Sequence, residues 1–169
     1  PARRSDDTPD TQSPMLFDTH APKIKARDPL AIIGIEDAEL ARNIEPQVQS
    51  LGFRTEVIGV KRDLVVALDA REFDVIVLSE GYEGGDIAQT EVLLELVGWL
   101  SEKRRQRFCV LLGPNMTSAD ELQAFLFSVD LVVALKDSGY FGAYLQMGLG
   151  NKQESLAKLN EVNRSHESA

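Results

Sequence analysis

The chain has 169 residues, 43% hydrophobic and 27% charged, which are ordinary proportions for one folded domain. Its 18 Lys and Arg and 27 Asp and Glu give a net charge of −9, which argues against non-specific binding to nucleic acid or to an anionic membrane. The single cysteine, Cys109, excludes an internal disulfide and makes no zinc site, and no apolar run is as long as a membrane span. We therefore expect a cytoplasmic protein.

The first 28 residues differ in composition from the rest. Only seven of them are hydrophobic, their five basic and five acidic residues cancel, and five of the seven prolines lie within the first 29 residues. Such a segment cannot bury enough apolar surface to offset the entropy of ordering it. We predict a disordered, proline-rich linker over 1–28 that once joined a missing N-terminal module. A folded domain over 29–150 and a C-terminal helix and tail over 151–169 follow.

Five apolar runs of strand length begin at residue 30. They are continuous rather than alternating, which is typical of parallel strands covered on both faces. The five runs are Leu30–Ile35, Thr55–Val60, Asp74–Leu78, Phe108–Leu112 and Asp130–Leu135.

Helical patterns separate the five runs. Apolar residues recur at three and four residues between Leu40 and Leu51, between Leu64 and Leu68, and between Val92 and Leu100. Ser118–Glu121 has the sequence of a capping box, after which Leu122, Phe125 and Leu126 are expected to face inward. A further helix follows Tyr140, and Asn151 looks like another N-cap. The alternation predicts an α/β fold, a doubly wound (βα)5 sheet of five parallel strands.

Polar residues follow the strands at their carboxyl ends, where α/β sheets place their chemistry. Glu36 and Asp37 follow the first strand, Ser79 and a glycine-rich loop over 81–85 follow the third, Gly113 follows the fourth and Lys136 the fifth. An acidic pair beside a lysine could hold a divalent cation next to an anion, or these side chains could simply be solvated.

The order of these residues resembles the receiver domain of bacterial two-component response regulators. The resemblance covers residues 30–149 and rests on four short motifs in order, which are Ile32–Asp37, Ser50–Phe53, Phe73–Leu78 and Val133–Lys136. It implies the receiver, or flavodoxin-like, form of the predicted fold. It also implies that the acidic pair corresponds to the family's magnesium site and that Lys136 corresponds to the lysine at the end of its fifth strand. Here we expect Lys136 to pair with Glu36 or Asp37.

The departures from the family pattern indicate that phosphate is not relayed. Ser79 stands at the position of the phosphoacceptor aspartate, Gly113 at that of a hydroxyl residue, Asp137 at that of a proline, and Val133 is not aromatic. An acyl phosphate needs a carboxylate nucleophile beside Mg²⁺, which Ser79 does not supply. We predict a pseudo-receiver with no enzymatic activity, no cofactor and no metal beyond weak Mg²⁺ at Glu36 and Asp37. The expected vestigial phosphorylation pocket consists of Glu36, Asp37, Ser79, Gly113 and Lys136.

A protein partner, or a second copy of the chain, is then the expected ligand. The candidate interface residues are Phe127, Tyr140, Phe141 and Tyr144, since aromatic side chains are enriched in interfaces. The bases between Lys103 and Arg107 complement a helix C-terminus or form a docking patch. Two alternatives stay open. One is a receiver phosphorylated at a non-standard residue such as Glu80, and the other is a flavodoxin-like domain that binds a small ligand or nucleotide near Glu36, Ser79 and the glycine loop.

Overall fold

A computed structural model of the chain describes residues 28–80, Gly98 and 101–167. The linker predicted over 1–28 lies almost entirely outside the described residues. The glycine-rich loop over 81–85 and the helix predicted between Val92 and Leu100 also lie outside them, so these predictions stand as predictions.

The described strands form one parallel sheet in the order β2-β1-β3-β4-β5. The strands are β1 (Leu30–Gly34), β2 (Arg54–Ile58), β3 (Val75–Ser79), β4 (Phe108–Gly113) and β5 (Leu131–Ala134). The predicted parallel sheet of five strands is confirmed. The three central strands are buried on both faces, which explains why their sequences are continuously apolar.

Helices cover both faces of this sheet. They are α1 (Ala38–Ser50), α2 (Lys61–Ala70), α3 (Ser101–Arg105), α4 (Glu121–Leu126) and α5 (Phe141–Glu167), with a 3₁₀ helix over Leu135–Tyr140 before α5. One apolar layer contains Ile32, Ile76 and Leu111 together with Leu64 of α2 and Ala124 of α4. The layer on the opposite face contains residues of α1 and α5, namely Ile44, Val48, Phe141 and Leu145. The sheet is therefore doubly wound, as predicted.

Two predicted helix starts are wrong. Helix α5 is continuous from Phe141 to Glu167, so Asn151 is not an N-cap and the boundary drawn between residues 150 and 151 falls inside a helix. Asp120, not Ser118, caps α4, because the Asp120 Oδ1 accepts from the backbone N–H of Gln123 at 2.9 Å. Asn151 and Ser118 both have side chains that can cap a helix. Whether such a side chain caps a helix depends on the contacts around it in the folded protein.

Ser118 instead helps to cover the outer edge of β5. Its Oγ accepts from the backbone N–H of Ala134 at 2.9 Å and donates to an Asp137 carboxylate oxygen at 2.6 Å. The next residue, Ala119, has a φ of +63° and donates its N–H to the carbonyl of Val132 at 2.9 Å. The β4–α4 connection thus satisfies backbone groups that an edge strand would otherwise expose.

None of the helices in the described part of the chain has the length and apolar character needed to cross a membrane.

Candidate functional site

The carboxyl ends of four strands meet at one edge of the sheet and bring four of the predicted pocket residues, Glu36, Asp37, Ser79 and Gly113, to that edge. Strand pairing places Gly34 beside Leu78, Ser79 beside Leu112, and Gly113 beside Ala134. The residues that follow these strand ends therefore lie along one edge of the sheet, which is where α/β sheets bind ligands.

Within the acidic pair, Asp37 has a structural task. Its Oδ1 accepts from the backbone N–H groups of Glu39 at 2.8 Å and Leu40 at 3.1 Å, so the carboxylate caps α1. Both Glu36 and Asp37 are exposed to solvent. Across the described residues, no group of three or more acidic, His or Cys side chains is arranged to hold a metal ion. Both capping hydrogen bonds use the Oδ1 of Asp37.

Ser79 ends β3 and is partly buried, and the side chain of the following residue, Glu80, lies against Gly113. The backbone N–H of Glu80 donates to the carbonyl of Leu112 at 2.6 Å, which continues the β3–β4 ladder. Its carboxylate lies over Gly113, and a Cβ at residue 113 would overlap the Glu80 Oε2 and lie 3.0 Å from the Met116 Cε. The absence of a side chain at Gly113 therefore leaves room for the Glu80 carboxylate, which is the far end of a flexible side chain.

Glu80 therefore lies beside the predicted pocket residues, although the sequence analysis named it only as an alternative acceptor to Ser79. The glycine at 113 is the signal that was available in the sequence, since a missing side chain at a strand end often marks a close approach. The group that lies close to Gly113 is the carboxylate of Glu80.

Lys136 stands apart from the other pocket residues. It lies in the first turn of the 3₁₀ helix, its side chain is exposed, and none of the ion pairs described joins it to Glu36 or Asp37. The predicted pairing of Lys136 with the acidic residues is wrong. The neighbouring Asp137 accepts from Ser118, so it ties the start of the 3₁₀ helix to the β4–α4 connection.

The four candidate interface residues fall into different environments. Tyr140 is 73% exposed, whereas Phe127 and Tyr144 are partly buried against the core. Phe141 is completely buried, because the first turn of α5 packs on the sheet. Its inclusion among the interface residues is wrong, since no partner can reach it in this fold.

Helix α4 provides an exposed apolar surface that the sequence pattern assigned to the core. Leu122, Phe125 and Leu126 are 67%, 78% and 68% exposed, and Ala124 is the buried residue of this helix. We call these three residues the α4 patch. Adjacent exposed apolar side chains of this size mark interaction sites more often than isolated ones do.

The basic run before β4 is mostly engaged inside the molecule. An Asp130 carboxylate oxygen accepts from the Arg104 Nη1 and from the Cys109 backbone N–H, each at 2.8 Å, and the Lys152 Nζ lies 3.1 Å from the other oxygen. Arg107 is only 5% exposed. These contacts favour the structural interpretation of the basic run over a docking patch.

Burial raises the pKa of the Cys109 thiol to about 11, so this cysteine is no nucleophile.

Comparison with protein-family models and with curated proteins found no match. Solved structures do resemble the chain. An orphan response regulator of H. pylori is 20% identical, with a TM-score of 0.54 over 72% of this chain and 96% of its own. A response regulator receiver protein from Burkholderia phymatum is 16% identical, with a TM-score of 0.56 over 73% of this chain and 96% of its own. Response regulator DrrB of Thermotoga maritima is 16% identical, with a TM-score of 0.58 over 74% of this chain and 54% of its own. The chain therefore has the receiver fold of response regulators.

Proposed function

We propose that the chain is a pseudo-receiver of bacterial signalling or regulation, a non-catalytic cytoplasmic module that works by binding another protein. The observation that carries this proposal is the serine at the end of β3. Ser79 occupies the position where the fold's signalling chemistry requires a carboxylate, and a neutral hydroxyl can neither form an acyl phosphate nor neutralise a divalent cation.

The surroundings of Ser79 support the same proposal. Asp37 is engaged in capping α1, Lys136 is exposed, and the space over Gly113 is filled by the Glu80 carboxylate. An incoming phosphoryl group would meet that negative charge rather than a hydroxyl donor. The pocket is therefore poorly suited to binding and transferring a phosphoryl group.

The α4 patch is the surface best suited to a protein partner. Its three apolar side chains are exposed on a short helix, and receivers, which this chain resembles, bind partners on the corresponding face. Tyr140 is a further exposed aromatic candidate, since tyrosine is enriched at interface hot spots.

Phosphorylation is tested by incubating the full chain with acetyl phosphate and Mg²⁺ and measuring its intact mass. We expect no change for the chain itself or for Ser79→Ala. Ser79→Asp restores the carboxylate and should bind Mg²⁺ more tightly in calorimetry. A stoichiometric gain of one phosphoryl group by the unmodified chain would refute the proposal, and its mapping to Glu80 would favour a receiver with a displaced acceptor.

Partner binding is tested by pull-down with two variants that each replace one exposed apolar side chain. Phe125→Ser alters the α4 patch, and Val66→Ser is the matched control because Val66 is 61% exposed on α2. We expect Phe125→Ser to lose a protein that the unmodified chain and the control both retain. Loss in the control with retention by Phe125→Ser would place the interface elsewhere.

A further inference from the structure

A groove of about 310 Å³ lies at the amino ends of the strands, on the face of the sheet that α5 covers. Phe53, just before β2, and Phe108, the first residue of β4, line it from the side of the sheet. Leu149 and Leu156 line it from α5, and both are partly exposed. We call this site the lower groove. Its lining is mainly apolar, so it suits an apolar ligand.

The charged residues of the lower groove are mainly basic. Among the described residues that line it, the bases are Arg105, Arg107 and Lys152 and the acid is Asp74. Lys152 is paired within the domain, whereas Arg105 is exposed at the end of α3. The Asp74 Oδ2 accepts from the backbone N–H of Leu30 at 2.8 Å. An apolar lining beside an exposed cation is complementary to an apolar segment that carries a carboxylate.

The described chain enters the sheet beside the lower groove. The carbonyl of Pro29 accepts from the backbone N–H of Arg54 at 2.8 Å, and the backbone N–H of Asp74 donates to the carbonyl of Leu30 at 2.8 Å. Strand β1 lies between β2 and β3, with β4 next in order. The strand residues that line the groove are therefore at most two strand spacings, about 10 Å, from β1. The segment that precedes residue 28 joins the domain at this groove.

That segment contains a stretch with the matching chemistry, over residues 15–18, which lie outside the described residues. Met15–Phe17 are the only adjacent hydrophobic residues within 1–27, and Asp18 follows them. The other large apolar residue of the segment, Ile24, has a lysine on each side. A basic groove repels such a stretch, whereas it attracts the carboxylate of Asp18.

We propose that Met15–Phe17 docks in the lower groove of its own chain, with Asp18 beside Arg105. Phe17 precedes Asp28 by 11 residues, which span up to about 40 Å when extended, so the segment reaches the whole groove. A short tether holds its end at an effective concentration of about a millimolar, so a weak interaction is enough to keep the segment docked. The lower groove and the predicted pocket lie at opposite ends of the strands, so this inference does not depend on the proposed function.

The docking is tested by paramagnetic relaxation with a spin label on Thr19→Cys of the full chain. The thiol of Cys109 is buried and stays unlabelled in the folded protein. We expect the amide signals of residues 149–156 to lose intensity, because the label is held next to α5. Loss of intensity over the α4 patch instead would overturn the proposal, because the segment would then dock on a different surface.

Variants of the segment and of the groove separate docking from mere tethering. The double substitution Leu16→Ser with Phe17→Ser should restore the intensities, whereas Ile24→Ser, the matched control, should not. Arg105→Glu should restore them in part. Lys158→Glu, an exposed base of α5 outside the groove, should leave them reduced. An equal loss of intensity in the double variant would overturn the proposal, because the tether alone would then explain the effect.

A mixed sample shows whether the segment binds its own chain or a second copy. Isotope-labelled chain without a spin label is combined with spin-labelled chain that carries no isotope. We expect the signals of residues 149–156 to keep their intensity in this sample. Their loss would show that a second copy supplies the segment, which would overturn docking within one chain.

Discussion

At the scale of single residues, the floor of the pocket depends on the pair formed by Gly113 and Glu80. A glycine in a strand gives up packing and costs entropy, and here it makes room for a neighbouring carboxylate. The two residues should therefore be energetically coupled, in the same way as two residues that fill one cavity.

We expect Gly113→Ala to destabilise the protein by no more than about 1 kcal/mol, because the overlapping Glu80 carboxylate is the far end of a flexible side chain and can turn away, which leaves mainly the crowding of Met116. Urea unfolding measures this cost. The control is Glu80→Ala, alone and combined with Gly113→Ala. The double variant should lose less stability than the sum of the two single ones, and strictly additive effects would contradict the contact.

The buried thiol of Cys109 gives a second prediction at this scale. Burial raises the pKa of Cys109 to about 11, so the folded protein holds the thiol proton more tightly than the unfolded chain does. Its contribution to stability is fully present below the unfolded pKa of about 8.5 and is lost as the pH rises from there through 11. Iodoacetamide at pH 8 should modify the protein in denaturant and leave it unmodified when folded. Rapid modification of the folded protein would contradict the assigned burial.

At the scale of elements, α4 and α5 carry aromatic residues in opposite environments. Phe125 is 78% exposed and Phe141 is fully buried. Phe125→Ala should therefore change the free energy of unfolding by no more than about 0.5 kcal/mol. Phe141→Ala should cost about 3–5 kcal/mol, because it leaves a cavity between α5 and the sheet. Thermal or urea unfolding of the two variants compares them, and similar losses would mean that α4 is packed.

Much of the fold could be predicted from sequence, and the failures have a common cause. The strands were predicted to within about two residues, and for the three central strands the reason is that burial on both faces makes them continuously apolar. The orientation of α4 was not predicted. Its Leu122, Phe125 and Leu126 have the spacing of a core-facing stripe, and periodicity shows that a helix has an apolar face without showing what covers it.

The same limit applied to the pocket. The positions of Glu36, Asp37, Ser79 and Gly113 followed from the strand ends, because the carboxyl ends of parallel strands meet at one edge. The side-chain contacts did not follow. Asp37 caps a helix and Glu80 lies over Gly113. Both contacts depend on distances between elements, and the apolar pattern of a strand does not predict those distances.

At the scale of the whole molecule, Asp130 links several elements at the amino ends of the strands. It pairs with Arg104 of α3 and Lys152 of α5 and accepts from the backbone of Cys109 in β4. Asp130→Ala should cost about 2–4 kcal/mol, because it leaves the backbone N–H of Cys109 without its acceptor and two partly buried cations with carbonyl acceptors but no counter-charge. Lys136→Ala, an exposed lysine without such contacts, should cost at most about 1 kcal/mol. Equal costs in urea unfolding would contradict the difference between the two sites.

The covering of β5 by Ser118 and Ala119 has a consequence for how the molecule behaves when crowded. At that border of the sheet, Val132 and Ala134 already have hydrogen-bond partners, whereas β2 forms the other border and pairs within the described chain only with β1. A polymer that grows by strand pairing needs two unpaired edge strands on every subunit, because each added molecule must offer a further unpaired edge strand to the next. With at most one open border, strand pairing between molecules stops after one step. Growth into a fibre would first require the β4–α4 connection to detach, so this short segment also acts as a barrier to aggregation.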